Sequence, residues 1–269
     1  MYFSLVMKKT ILLFFIVHLY HFTAQGQLIK ALPVSSQKTD ADVFIGLDSM
    51  DHSYYIKDNV FYKKNQTAIW QYKNVSWGQI TKVDLQNPLK LVLFYENFNA
   101  VVILDNQLNE IQKINLSNNQ DPIIANAIGL ATQNQLWVYN SFNQQIGLYN
   151  YLKNEYKSIS TSFPESILYY QSTLTTFYWI DKKNQWYSCD RFGKITAIAT
   201  TTAFDQIEII SDNQYLYSKN SIISIEDIAK KEKYEIEILE KSFKYFTYKD
   251  QILSIFTSEG ITNYKIIIP

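Results

Sequence analysis

Cysteine occurs once in the 269 residues, as Cys189, so no disulfide can form within the chain and the fold must rest on packing. Cys189 reads as a small buried residue of a strand. Histidine is nearly as scarce, with His18, His21 and His52 the only examples. A zinc centre needs clustered His and Cys, and a Ser or Cys nucleophile needs a His base. Beyond residue 26 only His52 and Cys189 remain for either role, and His52, in Ser49-Met50-Asp51-His52, reads as a surface residue. Arg191 is the single arginine, the other basic side chains are lysines, and the formal net charge is zero. Sequence-reading nucleic-acid binders rely on arginine forks and a basic face, so nucleic acid is not expected as a partner. Seven Gly and five Pro argue against long disordered tracts. No Gly-rich phosphate loop occurs, nor the Asp-x-Asp-x-Asp-Gly spacing of a calcium loop. No cofactor, metal or catalytic cluster is therefore assigned.

Long apolar runs are also missing, with one exception at the start. Met7-Lys8-Lys9-Thr10 precedes the run Ile11 to Val17, and Thr23-Ala24-Gln25-Gly26 follows a few residues later. A basic opening, a short apolar stretch and a small-residue site before Gln27 read as an export signal over 1–26, with Met7 an alternative start. The run is too short for a bilayer-spanning helix, which needs about 20 apolar residues. No cysteine stands at the end of the run, so attachment at a lipoprotein-type cysteine is not expected. The mature part, 27–269, is expected in the periplasm, with no membrane span and as a monomer.

What the chain has in abundance is aromatic residues, 16% of the total, with 21 Tyr and 16 Phe. Together with its many isoleucines these suit pleated, half-buried surfaces. The pattern also repeats. Tyr95, Phe98 and Asn99 recur as Tyr139, Phe142 and Asn143. A polar turn residue follows an apolar strand at Asp105, Asn150, Asp190 and Asp227, a spacing of about 40 residues. Between these anchors lie four short apolar runs per unit, each of strand length. One unit offers Ile80 to Leu85, Leu89 to Tyr95, Ala100 to Leu104 and Glu110 to Leu116. Four strands per repeat of this length mark a propeller blade. The expected fold is all-β, a single β-propeller of six blades with four antiparallel strands each. Residues 243 to 268 supply only three strands, so Leu28 to Leu32 is expected to complete the last blade and close the ring. The tryptophans, Trp70, Trp77, Trp137, Trp179 and Trp186, are expected mostly to pack between blades.

The stretch from Trp77 to Lys90 stands out. Asn87-Pro88 favours a turn, Pro88 cannot occupy a central strand, and Asp84 can accept backbone N–H groups. Trp77, Asp84, Asn87, Pro88 and Lys90 are the candidate binding loop. Gly78-x-Ile80-x-x-Val83-Asp84-x-x-Asn87-Pro88-Leu89-Lys90, with Phe94-Tyr95 and Leu104-Asp105, resembles a group of uncharacterised exported β-propeller-like proteins of Bacteroidota. In architecture the repeat also resembles six-bladed NHL-type and assembly-factor propellers. The resemblance implies the fold and an exported location and carries no activity. Two functions follow. The first is a non-enzymatic binding or scaffold propeller of the cell envelope that engages a protein, such as a component of an export machine. The second is a propeller hydrolase, a lactonase or a carbohydrate-active enzyme, working through channel carboxylates, for which Asp84 and Asp181 are the candidates.

Overall fold

The computed structural model describes residues 27–164 and 166–269, so the export segment expected over 1–26 lies outside the described residues. Two short strands come first, β1 (Gln27–Lys30) and β2 (Leu32–Gln37). Five complete blades follow. Blade 1 holds β3 (Val43–Leu47), β4 (Ser53–Lys57), β5 (Val60–Lys64) and β6 (Ile69–Tyr72). Blade 2 holds β7 (Lys82–Asp84), β8 (Leu91–Tyr95), β9 (Ala100–Leu104) and β10 (Glu110–Asn115). Blade 3 holds β11 (Ala125–Leu130), β12 (Gln135–Asn140), β13 (Gln145–Asn150) and β14 (Glu155–Ser158). Blade 4 holds β15 (Ile167–Ser172), β16 (Thr176–Asp181), β17 (Gln185–Asp190) and β18 (Ile195–Thr200). Blade 5 holds β19 (Gln206–Ser211), β20 (Gln214–Lys219), β21 (Ile222–Asp227) and β22 (Glu232–Glu237). Blade 6 is made by β23 (Tyr245–Lys249), β24 (Ile252–Phe256) and β25 (Ile261–Lys265) with β2 as its outer strand. The fold is the expected six-bladed propeller, with antiparallel pairing within each four-stranded blade.

The closing strand differs from expectation by one segment. It is Leu32–Gln37 that pairs antiparallel with β25, Leu32 opposite Lys265 and Gln37 opposite Ile261. Residues Gln27–Lys30 instead run parallel to β22 as a fifth strand of blade 5, Gln27 opposite Tyr234. The reason lies in side-chain burial. Ile29 and Ala31 are buried in the layer between blades 5 and 6, whereas every residue of β2 is exposed and held by main-chain pairing.

Each blade is apolar on both faces, and the core is correspondingly divided into six layers, one between each pair of neighbours. Trp137, Trp179 and Trp186 are fully buried in these layers, as expected of them. Phe163 stacks on Trp179 with ring centroids 4.7 Å apart, and Trp186 meets Tyr215 edge-on across blades 4 and 5. Cys189 is fully buried between blades 3 and 4, and burial pushes its thiol up to about 12. Between blades 6 and 1 the layer is the smallest, built around Phe44, Tyr55, Phe256 and Ile261.

The anchor residues of the repeat act locally. Asp105 Oδ1 accepts the backbone N–H groups of Gln107 and Asn109, both at 2.8 Å. Asn150, Asp190 and Asp227 make the same kind of turn at the third hairpin of blades 3, 4 and 5. At the turn after Asp190, Gly193 has a φ of +83°, and a Cβ there would lie 1.8 Å from the Ile159 carbonyl oxygen. Only glycine fits.

Phe44 bridges the closure layer, 6.0 Å from the ring of Phe256. Phe44→Ala is expected to lower the unfolding free energy by about 3–5 kcal/mol, the usual effect of a large buried aromatic cut to a methyl. Urea unfolding followed by tryptophan fluorescence measures it.

Candidate functional site

The first strands of the six blades line a central channel with a cavity of about 560 Å³. Where two of these strands approach closely a small residue is required. A Cβ on Gly129 of β11 would come within 2.0 Å of Ser172 Oγ on β15. Polar side chains of the inner strands stitch neighbouring blades together. Asp84 Oδ2 of blade 2 accepts the Leu130 N–H of blade 3 at 2.8 Å, and Oδ1 accepts the Gln86 N–H at 2.8 Å. Gln171 of blade 4 accepts the Ile209 N–H and donates to the Ile209 carbonyl of blade 5. Glu208 Oε2 of blade 5 accepts the Tyr248 N–H of blade 6 at 2.7 Å.

Lys82 sits among these groups. Its Nζ lies 5.2 Å from the ring centroid of Tyr170 and 5.6 Å from that of Tyr169. It makes no hydrogen bond or ion pair with a described residue. The channel wall surrounds Lys82, Asp84 and Glu208, so desolvation dominates their titration. Burial lowers the Lys82 ammonium against the pull of Asp84 and Glu208. Burial raises the Asp84 carboxyl against its backbone donors, and raises Glu208 to about 7 against the Tyr248 N–H and Lys82. Burial likewise holds the Tyr169 phenol well above its ordinary value and Tyr245 at about 12.

The structure places the five residues of the candidate loop in three settings. Asp84 lines the channel. Trp77 lies on the connection between blades 1 and 2, half-buried and edge-on to Tyr95 at 5.8 Å. Asn87, Pro88 and Lys90 form the connection from β7 to β8, where Asn87 Oδ1 accepts the Leu89 N–H and the Asn87 carbonyl accepts the Lys90 N–H. Asp181 is not in the channel wall. It is buried at the end of β16, where Oδ1 accepts the Lys183 and Gln185 N–H groups and fixes a hairpin. The expected pairing of Asp84 with Asp181 is therefore replaced. The acid that shares the channel with Asp84 is Glu208. His52 is not a free surface residue either. Its Nδ1 lies 2.9 Å from Asp48 Oδ2, its ring is edge-on to Trp70, and Nε2 faces Asn65 at 3.4 Å rather than a nucleophile.

In blades 1 to 5 the first-to-second and third-to-fourth strand connections fall on one face of the ring, because successive strands are antiparallel. On that face, blades 2, 3 and 4 are tied together. Lys90 Nζ donates to Asn134 Oδ1 at 2.8 Å and to the Tyr151 hydroxyl at 3.0 Å. Arg191 donates to Gln133 Oε1, and the Thr132 N–H donates to the Leu174 carbonyl. These ties hold four large apolar side chains in the open. Leu89 and Leu152 are 63% and 64% exposed, Phe192 is 93% exposed, and Leu174, on the same face, is 39% exposed. The repeated Phe98 and Phe142 emerge on the opposite face, on the second-to-third strand connections.

No protein-family profile and no curated protein matches the chain. Solved structures do. The virginiamycin B lyase of Staphylococcus aureus superposes with a TM-score of 0.54 at 11% identity, over 83% of this chain and 79% of that one. A Bacteroides thetaiotaomicron protein of unknown function gives 0.59 at 14%, over 88% and 72%. The Cps50 (Swd1) β-propeller domain of Myceliophteria thermophila gives 0.57 at 7%, over 88% and 100%. The likeness is one of fold. Among the described residues there is no cluster of His, Cys, Asp and Glu suited to a metal ion, and no helix long and apolar enough to cross a membrane.

Sequence reasoning passed over Lys82, Glu208 and the tyrosines of the channel. A signal was present: Lys82 and Asp84 are two apart in a first strand and so project to the same side, and Glu208 sits between two buried isoleucines in another first strand.

Glu208 gives a prediction with a definite sign. Its folded pKa of about 7 exceeds the ordinary 4.5, so the folded state binds more protons between those values and loses stability as pH rises through them. Glu208→Gln keeps an acceptor for the Tyr248 N–H and removes the titration. The stability difference between variant and wild type is expected to grow in the variant's favour from pH 4.5 to 7 and then level off, as read from urea midpoints across that range.

Proposed function

We propose that this chain is a non-enzymatic propeller of the cell envelope that holds a protein partner on the face carrying residues 85–90. The observation that carries the reading is the set of exposed apolar side chains Leu89, Leu152, Leu174 and Phe192 on connections fixed by hydrogen bonds between blades 2, 3 and 4. Grouped apolar exposure on a soluble face marks an interaction site, and pre-fixed loops lose little entropy on binding. Lys90 and Arg191 give that patch a cationic component, and arginine and aromatic residues are typical of interface centres. Of the candidate loop, Asn87, Pro88 and Lys90 belong to this face, with Leu89 at its tip.

The exported location rests on the signal read over 1–26, and the likeness of residues 76–116 to exported propellers of Bacteroidota agrees with it. The partner in this reading is an envelope protein or a component of an export machine, engaged by a monomeric ring. The hydrolase reading is weaker. Asp181 serves a hairpin, and both Asp84 oxygens already accept backbone N–H groups, which leaves that carboxylate poorly placed as a base.

Photo-crosslinking in the source organism tests the face. A benzophenone amino acid at position 192 or 152 is expected to give a discrete adduct with one protein, and position 142 on the opposite face none. Phe192→Asp and Leu152→Asp are each expected to weaken capture of that protein by about tenfold or more, the effect of losing an interface anchor. Adducts from position 142 alone, or from none of the three, defeat the proposal.

A further inference from the structure

We propose that the channel binds a small zwitterion, an amino acid with an apolar or aromatic side chain, with its carboxylate on Lys82, its ammonium on Glu208 and its side chain against the channel tyrosines. This site is separate from the docking face and does not depend on it.

Lys82 and Glu208 are oppositely charged groups that both line the channel and do not touch. Lys82 is partly exposed to the channel, and an ammonium that loses part of its hydration to a protein wall gains from an acceptor. Lys82 has none among the described residues and is supported only by the faces of Tyr169 and Tyr170. Asp84 and Glu208 attract it electrostatically but neither touches it. Asp84 is not open to a ligand, since Oδ1 accepts the Gln86 N–H and Oδ2 accepts both the Leu130 N–H and the Gln86 side-chain amide. Glu208 differs. Oε2 is taken by the Tyr248 N–H, while Oε1 has no hydrogen-bond partner among the described residues. The channel thus presents one open cationic donor and one open carboxyl oxygen, within electrostatic reach of each other and not in contact.

A simple anion would gain Lys82 but face both acids, and a simple cation would gain Glu208 but face Lys82. A molecule that carries both charged groups on one carbon offers each of the two side chains a partner of opposite sign. The remaining wall suits an apolar body. Tyr169, Tyr170 and Tyr245 line the same cavity, whose volume of about 560 Å³ falls within the range of small-molecule sites. The Tyr169 hydroxyl is fixed by donating to Gln171 Oε1 at 2.7 Å, so its ring is held in place before any ligand arrives.

Titration calorimetry with three probes tests the site. L-Phenylalanine is expected to bind the unmodified protein with a dissociation constant below about 1 mM. N-acetyl-L-phenylalanine, which lacks the ammonium, and L-phenylalaninamide, which lacks the carboxylate, are expected to bind at least about tenfold more weakly. Lys82→Met keeps the apolar stem and is expected to lose the preference for phenylalanine over its amide. Its melting temperature should equal or exceed that of the wild type, because a partly desolvated charge has gone; a purely structural lysine would show the opposite. Glu208→Gln is expected to lose the preference over the N-acetyl compound. No binding of phenylalanine at about 10 mM, equal binding of all three probes, or unchanged binding in Lys82→Met overturns the proposal. The three-probe comparison needs no variant, so it decides the matter even if Lys82→Met fails to fold.

Discussion

The packing of one blade against the next is the interaction on which everything else depends. A four-stranded sheet that is apolar on both faces has no stable existence in water by itself. Six such sheets solve the problem by covering one another around a ring, and the buried clusters accordingly lie between blades rather than within one central core. With the apolar work done between the sheets, the innermost strands are free to be polar, and their side chains are used to fix blade to blade through backbone N–H groups. Asp84, Gln171 and Glu208 are three such fixings, each made to a strand of the following blade.

That division explains what could be read from the chain. The third hairpin of four blades was legible because its chemistry is local: Asp105, Asn150, Asp190 and Asp227 bond backbone groups two to four residues away. Strand β9, Ala100–Leu104, falls where its apolar run places it, since both faces are buried and the run is uninterrupted. The closing strand was misplaced by a few residues for the converse reason. No side chain of β2 is buried, so alternation carries no information there, and the register is set by β25 from the far end of the chain.

The channel was less legible still. Its contacts join residues far apart in the chain, 38 positions for Gln171 with Ile209, 46 for Asp84 with Leu130 and 86 for Gln86 with Ser172. Such neighbours are defined by the angle between blades, which no window of sequence contains. Asp84 and Asp181 look alike in the chain, each an acid closing an apolar strand. One ends a first strand and therefore faces the axis; the other ends a second strand and closes a hairpin. Position within the blade, not residue type, separates them.

The parallel addition of β1 to blade 5 has a bearing on how the ring comes into being. Residues 27–30 and 32–37 find their partners only among residues 234–237 and 261–265, more than two hundred positions later. During synthesis this segment emerges well before its partners and pairs late. Its strand edges stay open until almost all of the chain has followed, the circumstance in which foreign strands compete most effectively for pairing. An uncharged stretch such as Leu32-Pro33-Val34-Ser35-Ser36-Gln37 would be exposed to that competition, and Pro33, which cannot donate to a ladder, is a built-in restraint on it.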